Sequence, residues 1–109
     1  MECKKLTTIS FPNSITSINS YMFEGCTNLK EFSIPNNITH IGIGAFAGCK
    51  KLTDIAIPEH VTRISQDLFA RCEKLKNIHM PDGILNIDSG AFPIKLQQSE
   101  MVPSEGVKT

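Results

Sequence analysis

Cys26-Thr27-Asn28-Leu29-Lys30-Glu31-Phe32-Ser33-Ile34-Pro35 opens a unit that the chain writes four times. Cys3, Cys26, Cys49 and Cys72 stand 23 residues apart. Three residues after each comes Leu6, Leu29, Leu52 or Leu75, and three further on Ile9, Phe32, Ile55 or Ile78. Phe11, Ile34, Ile57 and Met80 follow, each directly before a proline: Pro12, Pro35, Pro58 and Pro81. The same register then gives Ile15, Ile38, Val61 and Ile84, next Ile18, Ile41, Ile64 and Ile87, and last Phe23, Phe46, Phe69 and Phe92. A fixed period of this length is the mark of a solenoid, in which equal registers of successive coils lie one above another. Counted from each cysteine, the coils are residues 3–25, 26–48, 49–71 and 72–94. One such unit buries too little apolar surface to offset the entropy of ordering it, so neighbours must stack.

Within a unit, Leu-x-x-Ile-x-Ile ends in alternation of apolar and polar residues, which predicts a half-buried strand. The proline ends it, because proline cannot donate to a ladder. Asn13-Ser14, Asn36-Asn37, Glu59-His60 and Asp82-Gly83 then make a polar corner of turn formers. A second short extended piece carries pairs such as Ile15 and Ile18. After it come Asn19, Gly42, Ser65 and Asp88, all of types favoured at helix N-caps. Single turns of 3₁₀ or α helix are therefore expected at Ser20–Gly25, Ile43–Gly48, Gln66–Arg71 and Ser89–Ile94. Met22-Phe23, Ala45-Phe46, Leu68-Phe69 and Ala91-Phe92 should point inward, with the phenylalanines forming one ladder. Repeats thus span residues 1–94. Residues 95–109 read as a degenerate fifth unit or a frayed tail. Lys95 and Gln98 stand where Cys and Leu belong, and Met101-Val102-Pro103 restores the pattern slipped by one residue.

Composition narrows the function. Lys plus Arg equal Asp plus Glu, 11 against 11 among 109 residues, so no global field favours nucleic acid or an anionic membrane. No apolar run reaches the ~18 residues of a membrane helix, so no membrane insertion is expected. Met1-Glu2-Cys3-Lys4-Lys5 leads into no apolar h-region, so no signal peptide is read here.

The stretch Ile34-Pro35-Asn36-Asn37-Ile38-Thr39-His40-Ile41-Gly42-Ile43-Gly44-Ala45-Phe46-Ala47-Gly48-Cys49-Lys50-Lys51-Leu52 resembles the BspA-type leucine-rich repeat, a 23-residue variety. The resemblance covers about residues 3–92. Departures are Arg71 and Ile94 for the glycine before cysteine, Leu85 for threonine and Lys95 for the last cysteine. The resemblance implies a right-handed leucine-rich-repeat solenoid of about four units, β-rich with short helical turns. It also implies a surface or secreted setting, as in adhesin-like arrays of bacteria and parasitic protists. A chain complete as it stands, with no signal peptide, would instead be cytoplasmic.

The chemistry-bearing residues point to no reaction. Cysteines on one register make a line rather than a tetrahedron, which argues against zinc. Parallel side chains at the ~4.8 Å coil spacing stand too far apart for a disulfide, so buried free thiols are expected. His40, His60 and His79 fall on three different registers and read as surface residues. Asn37-Ile38-Thr39 fits a glycosylation sequon but also the ordinary corner of the repeat. No nucleophile motif, phosphate loop or carboxylate pair is present, so no enzyme, cofactor or metal is expected.

The remaining candidate is the solvent side of the first strand. In coil one it presents Thr8 and Ser10, beside Thr7; in coil two Lys30, Glu31 and Ser33. In coil three it presents Thr53, Asp54 and Ala56; in coil four Lys76, Asn77 and His79. Solenoids bind partners on such extended faces. This one has mixed charge and no exposed aromatic, which argues against nucleic acid. The expected function is a non-catalytic protein-binding module, part of a surface or secreted array, with an intracellular scaffold as the alternative. The end near Leu6–Phe11 is expected to promote self-association through its uncapped edge.

Overall fold

The computed structural model describes residues 4–30, 32–93 and 102–103. Cys3, Glu31 and the rest of the tail lie outside that set. Among the described residues seven short strands are present, all paired in parallel. β1 (Ser17–Ile18) pairs with β2 (His40–Ile41), and β4 (Arg63–Ile64) with β6 (Asn86–Ile87). On the other side β3 (Asp54–Ala56) pairs with β5 (Asn77–Met80), and β5 with β7 (Val102–Pro103). Ser17 faces His40, Ile55 faces Ile78 and Ile64 faces Ile87, each 23 residues on. Equal registers therefore stack, as a solenoid requires. β7 keeps this offset: Val102 lies opposite His79 and Pro103 opposite Met80. The one-residue slip in the tail therefore seats Pro103 over Met80 and not over Pro81.

Side chains at the inward registers form the spine. Leu29, Ile38, Ile41, Phe46, Leu52, Ile64, Phe69, Leu75 and Ile78 are fully buried. The rings of Phe23 and Phe46 stack with centroids 5.5 Å apart, those of Phe46 and Phe69 at 6.1 Å, and those of Phe69 and Phe92 at 6.3 Å. Two inward expectations do not hold. Ile87 is 41% exposed while its register mates Ile18, Ile41 and Ile64 are buried, and Met22 is exposed while Ala45, Leu68 and Ala91 are buried. Both stand on outer coils. Among the described residues no coil covers Ile87 from beyond or Met22 from before.

The helical turns are also replaced, and the hydrogen bonds say why. In coil one, Met22 N–H donates to Asn19 O, Glu24 N–H to Tyr21 O and Cys26 N–H to Phe23 O, each at 3.2 Å. The intervening amides go elsewhere: Tyr21, Phe23 and Gly25 donate to Ile43, Ala45 and Ala47 of coil two, each at 2.8 Å. A 3₁₀ helix would need consecutive amides to bond within the coil. Here every second amide bonds to the next coil, so the segment is a run of tight turns. Two left-handed residues in each of coils one to three, and one in the described part of coil four, make it possible. Tyr21, Gly44, Asp67 and Gly90 hold φ near +60° to +70° at one register, and Gly25, Gly48 and Arg71 hold φ of +77°, +76° and +62° at another. A continuing right-handed helix admits neither. The residues expected as N-caps serve the stack as well. Ser65 Oγ donates to Ile41 O at 2.6 Å, one coil back, instead of capping its own turn. Gly42 permits close coil approach, because a Cβ there would lie 2.4 Å from Ser20 N.

Among the described residues, the first strand of the repeat forms in coils three and four and continues at the same register in β7, but it does not form in coils one and two. Residues 7–11 and the described part of 30–34 are irregular. At the second inward register coil two carries Phe32, where the other coils carry isoleucine. Its ring stacks on Phe46 with centroids 5.1 Å apart.

Candidate functional site

The face expected to carry function is present and solvent-exposed. Thr8, Ser10, Lys30, Ser33, Thr53, Asp54, Ala56, Lys76 and His79 are exposed, and Asn77 is half-buried. Glu31 lies outside the described residues. The stacking that builds the core aligns these residues in columns. Lys30, Thr53 and Lys76 share one register, and Ser10, Ser33, Ala56 and His79 another. Asp54 and Asn77 are opposite one another on β3 and β5, and Asn77 Nδ2 donates to Asp54 Oδ1 at 2.8 Å. That bond fixes both side chains across the ladder.

A groove of about 690 Å³ opens on this face over coils one to three. Thr8, Ser10, Lys30, Ser33, Thr53 and Asp54 line it, so the structure gathers six of the expected residues in one place. Lys76, Asn77 and His79 lie outside it, on the paired sheet beyond. The sequence reading omitted Phe11, Phe32, Asn13 and Pro35, which also line the groove. Phe32 carried a readable signal, as the single aromatic at an isoleucine register. Its half-buried ring and that of Phe11, with Ile9 and Pro35, give the groove an apolar lining beside its polar residues.

Among the described residues the other titratable groups show no converging site. His40, His60 and His79 are exposed. Among the described residues no group of three acidic, histidine or cysteine side chains could hold a metal, and no helix is long and apolar enough to cross a membrane. Cys49 and Cys72 are free and buried. Their thiols donate to Phe23 O at 3.5 Å and Phe46 O at 3.1 Å, one coil back. A hydrogen bond with Cys72, and burial after it, push the Cys49 thiol far above the ordinary thiol range. Cys26 is disulfide-bonded, which corrects the expectation of free thiols throughout. That expectation took the side chains as parallel and a full coil spacing apart.

A family model described as the BspA type leucine rich repeat region matches residues 1–103 in six copies. No curated protein matches the chain. Among solved structures it is similar to a leucine rich cell surface protein from Faecalibacterium prausnitzii A2-165, at 33% identity and a TM-score of 0.77, over 84% of this chain and 24% of that one. It is also similar to a leucine-rich repeat protein from Bacteroides ovatus ATCC 8483, at 29% identity and a TM-score of 0.69, over 93% of this chain and 32% of that one. The chain thus spans about a quarter to a third of each. The 23-residue registers, the parallel ladders and the family match agree: this chain belongs to the BspA-type leucine-rich-repeat family.

Proposed function

We propose that the chain is a non-catalytic protein-binding module of a surface or secreted repeat array, and that it binds through the strand face. The observation that carries this reading is the groove of about 690 Å³ whose lining sets Lys30 and Asp54 beside Phe11, Phe32 and Pro35. Concave sites with a few placed polar groups on apolar ground are what partners recognise. The cell surface protein of Faecalibacterium prausnitzii supports the surface setting by similarity. The disulfide at Cys26 supports it independently, because such bonds persist in oxidising compartments.

The test is a photo-reactive residue placed at Ser33 in one variant and at Lys50, off the face, in another. Both are incubated with the extracellular and surface proteins of the source cell's surroundings. The proposal expects one discrete partner crosslinked from Ser33 and none from Lys50. Equal crosslinking from both positions contradicts it. Self-association is proposed alongside, supported by Leu85 at 78% and Ile87 at 41% exposure on coil four. Light scattering should show a mass that rises with concentration, and Leu85→Glu with Ile87→Lys should abolish the rise.

A further inference from the structure

We infer that the edge of the solenoid around its cysteines binds a sulfated polysaccharide. This goes beyond the strand-face reading, and of the cations involved only Lys30 lines the groove. Equal totals of acid and base conceal a segregation by register. Four stretches run from the residue before each cysteine to the fourth residue after it. They hold eight of the 11 Lys and Arg, but only Glu2 and Glu73 of the 11 Asp and Glu. The rest of the chain holds three cations and nine acids.

Stacking turns these registers into columns. Lys76 N–H donates to Thr53 O at 2.8 Å and Lys30 N–H to Thr7 O at 3.1 Å, each between equal registers one coil apart. Lys4 and Lys50 belong to one column, and Lys5, Lys51 and Lys74 to the next. Lys30 and Lys76 share a third, and Arg71 stands beside them at the register of Gly25 and Gly48. All eight cations are exposed. Glu73 lies 4.0 Å from Lys50, and Glu24 lies 3.5 Å from Arg71. Among the described residues Lys5, Lys30, Lys51, Lys74 and Lys76 make no ion pair.

Distance decides whether the acids cancel this edge. Coils stand ~4.8 Å apart, within the ~8 Å Debye length of physiological salt, so cations of adjacent coils act together. The four residues of β5, at ~3.3 Å each, set Asp82 beyond that length from Lys74. Glu24, Glu31 and Asp54 are nearer, one register outside the edge. With them counted, cations still lead eight to five.

An edge of one sign running along the stack suits an extended polyanion. Nucleic acid fits less well, because these registers hold no aromatic residue for bases to stack on. Seven of the eight cations are lysines, compact point charges that match single sulfate groups. The disulfide at Cys26 lies in the same registers and belongs to an oxidising, extracellular setting, where sulfated polysaccharides are abundant.

Heparin, titrated into the full chain by calorimetry, is the probe. Binding should weaken at least about tenfold between about 50 and 200 mM salt, through counterion release. Lys51→Gln with Lys74→Gln removes two charges from the edge and should weaken binding about tenfold. Arg63→Glu shifts the net charge equally but lies off the edge, so it should change binding less than about twofold. All three sites are exposed, and circular dichroism checks that each variant is folded. No binding of heparin overturns the inference, as do equal losses in the two variants. A single-stranded thymidine oligonucleotide bound as tightly as heparin overturns it too. The Ser33 crosslink reads the strand face separately, so either claim can fail alone.

Discussion

The rings of Phe32 and Phe46 stack within one coil, centroids 5.1 Å apart and planes 25° from parallel. Phe46 also stacks on Phe23 and Phe69 in the coils before and after, so three rings surround it. Phe46 is fully buried, whereas Phe92 is half-buried and meets one ring. Phe46→Ala should cost about 3–5 kcal/mol through lost burial and the cavity left behind. Phe92→Ala should cost about 1–2 kcal/mol. Urea unfolding followed by circular dichroism measures both, and equal losses would contradict the ladder.

Gly44 holds φ of +61°, and a Cβ there would lie 2.4 Å from Cε1 of the Tyr21 ring. Gly44→Ala carries two costs: the left-handed backbone, about 1–2 kcal/mol, and the clash. Tyr21→Ala removes only the clash. The double variant should therefore be more stable than the sum of the singles by about 1 kcal/mol. Strict additivity in a double-mutant cycle would place the Tyr21 ring elsewhere.

Arg71 holds φ of +62° at the register filled by Gly25 and Gly48. Its guanidinium lies 3.5 Å from Glu24, with both side chains exposed. Such pairs are worth about 0–1 kcal/mol, and relief of left-handed strain in a non-glycine residue about 1–2 kcal/mol. Arg71→Gly should raise the melting temperature by several degrees, on the order of 4 °C for about 0.5–1 kcal/mol. A fall would mean that the ion pair outweighs the backbone.

The Cys49 thiol is raised by its bond with Cys72 and by burial. A raised folded value keeps its stabilisation complete below the unfolded thiol pKa, about 8.5. Above that pH the unfolded chain loses a proton that the folded chain retains. Stability should then fall by up to about 1.4 kcal/mol per pH unit. Cys49→Ala should lose less stability between pH 8 and pH 10 than wild type does, read from urea midpoints at each pH. Parallel losses in both proteins would remove Cys49 from the effect.

The spine was readable because stacking repeats the same physical demand every 23 residues. Leu29, Leu52 and Leu75 face the same neighbours and so stay leucine. The turns were not. Whether Ser20–Gly25 winds into a helix depends on which coil receives each amide, and a single unit holds no record of its neighbour. Tyr21, Asp67 and Arg71 take left-handed backbone without announcing it; only glycines at 25, 44, 48 and 90 hinted at the two registers. The polar face was legible from alternation, since Ser33, Thr53 and Asp54 fall between inward positions. Ile87 and Met22 misled because a register tells which way a residue points, and burial needs a coil on each side.

The claim beneath all of this is that residues 23 apart lie against one another. Ring-to-ring nuclear Overhauser effects on the labelled chain test it most directly. The account predicts contacts linking Phe23 to Phe46, Phe46 to Phe69 and Phe69 to Phe92, at the 5.5, 6.1 and 6.3 Å centroid separations of the stack. Rings that show no contact with their neighbours in this order, and sharp signals of freely solvated phenylalanine instead, would contradict it.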